Sequence, residues 1–187
     1  MQEGTVPILK DWENFYVIIG SASAALIGLT FVVITLVASI RQRGVIGGTE
    51  GTAAFSTPTV VHFCAALLSA AILSAPWSVL WQPSLLLGIA GFAGIVYMVI
   101  ILRRTLRQSS YQLVLEDWIW HILFPFLAYT TLFVATIVLA GNPAPSLFFI
   151  GAVTVLFVFI GIHNSWDTVT YLTVQYIQPK DESQKES

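Results

Sequence analysis

The sequence predicts an all-α integral membrane protein, a bundle of five transmembrane helices with its amino terminus outside and its carboxyl terminus in the cytoplasm. Three observations carry that reading: an apolar composition, five apolar runs of spanning length, and basic residues confined to alternate connections. Hydrophobic residues make up 56% of the 187 and charged residues only 10%, against about 25% charged in an ordinary soluble domain. Mean hydropathy is +0.81. Net charge is −2, and the few cations sit in short clusters, which argues against nucleic acid as a partner. The single cysteine, Cys64, excludes an internal disulfide framework and any CxxC metal or redox motif.

About 20 mostly apolar residues cross a hydrocarbon core of about 30 Å. Such runs occupy Asn14–Ile40, Thr59–Trp81, Ser84–Leu102, Trp118–Ala140 and Ser146–His163, the last continuing as a more polar helix to about residue 174. Together they make one domain over residues 1–178, with 179–187 as a disordered cytoplasmic tail. Trp81-Gln82-Pro83-Ser84 and Gly141-Asn142-Pro143-Ala144-Pro145 read as tight turns, so spans two and three form one hairpin and spans four and five another. Pro76 and Pro125 fall inside spans two and four, where each removes an N–H and frees a carbonyl, that of Ile72 and that of His121. The Gly47-Gly48-Thr49-Glu50-Gly51 loop is not a phosphate loop, because no lysine follows it and no strand precedes it.

Basic residues mark the cytoplasmic side. Arg41, Arg43, Arg103, Arg104, Arg107, Lys180 and Lys185 fall on one side of a five-span arrangement and Lys10 alone on the other. Aromatic residues fall at the same boundaries: Trp12, Tyr16, Trp77 and Trp81 at the outer one, Tyr111, Trp118, Trp120, Trp166 and Tyr171 at the inner one. The partner implied by all of this is the lipid bilayer.

Helices in lipid associate through small residues that let backbones approach. The first span offers Gly20, Ala24 and Gly28, the second Ala66, Ala70 and Ser74, the third Gly88 and Gly91. These stripes predict helix contacts, either within the chain or with a membrane protein partner or a second copy.

The residues that point to chemistry form one layer. Counted from the outer turns at 1.5 Å per residue, His62, His121 and His163 all lie about 26–29 Å down, at the inner edge of the hydrocarbon. Asp117 stands at i, i+4 to His121, and Asp167 to His163, so each acid shares a helix face with its histidine. Glu116, Asn164 and Arg103 are close in depth. A carboxylate on one imidazole nitrogen raises the basicity of the other, which suits a metal ligand, a haem axial ligand or a proton relay. Four uses of the layer are open: a structural cluster holding helices in register, a site for a transition metal or haem b with His62, His121, His163, Asp117 and Asp167 as the ligand set, a proton or ion pathway, and hydrolysis. The outer half lacks ionisable residues, which weighs against a complete pathway, and Ser165 and Ser69 have no evident oxyanion arrangement.

The runs Trp12-Glu13-Asn14-Phe15-Tyr16, Gly20–Val33 and His163-Asn164-Ser165-Trp166-Asp167-Thr168 resemble those of small, mostly uncharacterised bacterial multi-pass membrane proteins, some labelled modulators of a membrane AAA protease. That resemblance implies a bacterial plasma membrane and brings no catalytic residue with it. Two functions follow as expectations. One is a non-enzymatic protein that binds or regulates a membrane partner; the other is a metal- or haem-binding redox protein built on the histidine layer.

Overall fold

A computed structural model of the chain describes residues 6–42, 51–107 and 115–177. The glycine-rich loop, Tyr111 and the tail 179–187 lie outside the described residues, as do the side chains of Asp117 and Tyr171. Everything regular among the described residues is helix: α1 (Pro7–Asp11), α2 (Glu13–Gln42), α3 (Gly51–Ser74), α4 (Trp81–Arg107), α5 (Leu115–Trp118), a π-helical turn (Ile119–Leu123), α6 (Phe124–Val138) and α7 (Pro143–Ile177). Four of the segments they form are long and apolar enough to cross a membrane: Glu13–Leu36, Trp81–Leu106, Ile119–Val138 and Pro143–Thr170. In α3 the described apolar stretch is shorter, Thr59–Ser74.

The second run stops earlier than hydropathy indicates. Pro76 ends α3 at Ser74 instead of kinking a helix that continues to Trp81. The carbonyl of Ile72, which a proline at 76 leaves without its helical donor, accepts hydrogen bonds from the Trp77 indole N–H and from the Ala75 N–H. Trp77 is thus a helix-end cap. Residues Trp81–Ser84, expected as a tight turn, form the first turn of α4, where Pro83 needs no N–H donor partner. The end of the bundle that holds the α3–α4 connection is closed by the amino-terminal segment. The Val6 N–H donates to the Trp77 carbonyl, Leu9 is buried, and the Trp12 ring packs edge-on against Phe148 at 4.9 Å. Tyr16 is fully buried, so of the four expected outer belt aromatics Trp81 is the exposed one.

Pro125 acts differently. Its missing N–H falls just after the π-helical turn, in which the Phe124 N–H reaches back five residues to the Ile119 carbonyl. The wider turn absorbs the broken ladder without ending the helix, and it carries His121.

Packing runs α2 against α3, α3 against α7, α7 against α6, and α6 against α4. The expected hairpin of α3 with α4 is therefore a minor contact, and α4 leans on α6 instead. Glycines set that seam: a Cβ on Gly91 would come within 3.0 Å of the Phe133 backbone, and one on Gly94 would overlap the Tyr129 ring. On the other side, a Cβ on Gly20 would meet that of Ala70 at 3.1 Å. Ala24 and Gly28, expected on the same contact face as Gly20, are exposed instead, and a Cβ on Gly28 would meet nothing within 4 Å. The reason is rotational. Steps of four residues advance about 40° past a full turn, so the stripe turns away from α3, whereas the spacing Tyr16, Gly20, Ser23, Ile27 stays on it.

Gly94→Val should therefore lower the melting temperature in detergent by several degrees, since overpacking of this kind costs about 1–3 kcal/mol. Gly28→Ala should hold or raise it, because Ala is favoured over Gly in a helix by about 1 kcal/mol. Equal losses at the two sites would contradict the packing order.

Candidate functional site

Because α3 ends at Ser74, His62 lies only twelve residues, about 18 Å, below its outer end. His163 lies twenty residues, about 30 Å, below the outer end of α7. The single layer expected from the sequence is therefore two levels, and the neighbours of each histidine agree.

At the upper level His62 is buried at 1% exposure, and its Nδ1 lies 3.2 Å from the Tyr129 hydroxyl, also buried. Its ring is parallel to that of Phe157 at 6.3 Å, and Phe157 lies 4.6 Å from the Tyr129 ring. Three helices supply the group: α3 brings His62, α6 Tyr129 and α7 Phe157. The sequence holds His62 to that register through Phe63, whose ring fills the space left by Gly161. Tyr129 is held by Gly94 on the opposite side.

The lower level is centred on His163. Its ring stacks on Trp120 at 4.1 Å and 8°, its Nε2 lies 3.5 Å from Glu116 Oε1, and its Nδ1 lies 3.1 Å from Asp167 Oδ2. The Asp167 contact is an ion-pair distance without the direction of an aligned hydrogen bond. The two carboxylates therefore face opposite ring nitrogens. Glu116 is largely exposed, so the His163 ring has an acid near each nitrogen and an indole on one face at a solvent-accessible edge of the bundle.

His121, on the π-helical turn, is half-buried and within electrostatic reach of His62. Of the expected set, the structure thus joins Asp167 to His163 and brings His121 near His62. His62 and His163 have different ring neighbours, Tyr129 and Phe157 for the first and Trp120 for the second, and the Asp117 side chain is not among those described. Among the described residues no group of three or more His, Cys, Asp or Glu side chains is placed to hold a metal ion. Three residues at the site were not read as part of it from the sequence. Trp120 was read as a boundary aromatic, and Tyr129 and Phe157 were not singled out; the one available signal was the Tyr129 hydroxyl in the middle of an apolar run, which in lipid requires a partner.

The two levels make distinct energetic predictions. Trp120→Leu and His163→Leu should couple by about 1 kcal/mol in a double-mutant cycle, whereas His62→Leu and His163→Leu should add, since about 9 Å of α7 separates Phe157 from His163. Strong coupling between the two histidines would restore the single layer. Comparison of the chain with protein families, with curated proteins and with solved structures returns no match.

Proposed function

We propose that the chain is a five-span protein of a bacterial plasma membrane, amino terminus out and carboxyl terminus in, that acts without catalysis by binding or regulating a membrane partner through the free face of α2. The observation that supports this reading is how little of α2 the rest of the chain covers. Only 6% of its spanning window is buried, against 56% for α7. α3 is its main neighbour, and its inner half stands off α7 across an apolar groove lined by Leu26, Leu29, Val33, Phe63, Ile162 and Trp166. The uncovered face carries Ser21, Ala24, Ala25 and Gly28 beside Val17, Ile18 and Leu29. Lipid is satisfied by leucine; a face of small residues pays in lost contact with lipid unless another helix lies on it. The fifth span is α3, whose 24 residues reach about 36 Å. The orientation follows from the basic residues, of which Arg103 and Arg104 are exposed at the inner end of α4.

Photoreactive residues placed at Ala24 or Gly28 in native membranes should give one discrete protein adduct that disappears with Gly28→Leu, while one at the lipid-facing Ile89 should give none. Adducts with lipid alone would sink the proposal. For the orientation, a reporter fused after Lys185 should read cytoplasmic and one inserted within 141–145 external; the reverse pattern would invert it.

A further inference from the structure

Asn164 is buried at 2% exposure, and neither its amide nitrogen nor its amide oxygen has a hydrogen-bond partner among the described residues. An orphaned buried amide costs about 1–3 kcal/mol per group even in a soluble protein, and hydrocarbon offers no relief. Its position shows what it faces. Asn164 follows Phe157 by seven residues, close to two full turns, so it points the same way as Phe157, about 10 Å further inward. Phe157 points at His62 and Tyr129. Asn164 therefore faces the space directly beneath that pair. From the π-helical turn, His121 sits eight residues inward of Tyr129 and within electrostatic reach of His62. Two helical segments, α7 and the π-helical turn, thus direct polar side chains to one place, between the buried His62–Tyr129 pair above and the Glu116–His163–Asp167 group below.

We propose that this place is a binding site for ordered water, held by Asn164, His121 and His62, and that it links the His62–Tyr129 pair to the inner boundary by hydrogen bonds. The chemistry of the amide selects the occupant. An anion would satisfy only its N–H groups and a cation only its oxygen, whereas water donates and accepts at once and makes about three hydrogen bonds in a buried site. One or two waters bridging the amide to an imidazole would leave neither amide atom orphaned, and they would give His62 an exchange route for its ring proton that the apolar outer half does not supply. The site is independent of the α2 face and stands whether or not a partner binds there.

The test uses millisecond hydroxyl-radical footprinting of the intact protein in nanodiscs, in ¹⁸O-labelled water, because radicals formed from bound water mark side chains that bulk water does not reach. In the wild-type protein His62 should be oxidised despite its burial. In Asn164→Leu the rate at His62 should fall several-fold while that at exposed Trp166 stays the same. The melting temperature gives a second reading with opposite signs for the two cases. If water satisfies the amide, Asn164→Leu lowers it; if the amide is truly orphaned, removing it raises it. No oxidation of His62 in the wild-type protein, or a variant that is more stable with unchanged labelling, would overturn the proposal.

Discussion

The constraint on which this structure depends is that hydrocarbon supplies no hydrogen bonds, so every polar group at membrane depth has to be met from within the chain. Hydroxyls meet it locally. Ser23 donates to the Ile19 carbonyl, Thr30 to Leu26, Thr154 to Ile150 and Ser165 to Gly161, each one turn back along its own helix. Such groups ask nothing of neighbouring helices. His163 has Asp167 one turn along its own helix, whereas the ring of His62 is met from another helix, by Tyr129, and the amide of Asn164 has no partner among the described residues.

Close approach is the second requirement, because burial against lipid gains nothing over burial against leucine. Gly91 and Gly94 let α4 reach α6, Gly161 admits Phe63, and Gly20 meets Ala70. Two of these contacts also position the polar site: Gly94 leaves room for the Tyr129 ring and Gly161 for the residue next to His62. A hydrogen bond between helices in a membrane is worth about 0.6 kcal/mol on average, less than the cost of an unmet polar group. Packing, not the His62–Tyr129 bond, therefore holds α3, α6 and α7 in register, and the bond exploits a geometry that the glycines create.

The sequence shows the helical class and most of its apolar runs plainly, since composition and run length act on every residue at once. It shows helix ends poorly. The stretch Ser74–Trp81 carries no charge and is mostly apolar, so hydropathy carries the second run past Pro76, whereas the helix stops because Trp77 and Ala75 provide the Ile72 carbonyl with donors outside a helix. That seven-residue difference shifts His62 by about 10 Å and turns one polar layer into two. The acid at i, i+4 to His163 was legible because a helix alone fixes it. The ring contacts of His62 with Tyr129 and of His163 with Trp120 were not, because they depend on which helices are neighbours, and the order α2, α3, α7, α6, α4 departs from the order in the chain.

That packing order gives α3 a particular place. One of its faces meets α2 where Ala70 receives Gly20, and another meets α7 and α6 where Phe63 fills the Gly161 gap and His62 reaches Tyr129. The sparsely covered helix and the buried polar pair are thus attached to opposite sides of one rigid element. A helix does not bend to accommodate a displaced neighbour at one end without moving the side chains at the other, and packed interiors yield in discrete steps instead of stretching. A slide of α3 along its axis would stretch the 3.2 Å contact between His62 and Tyr129, and about 2 Å of it would carry the pair beyond hydrogen-bonding range.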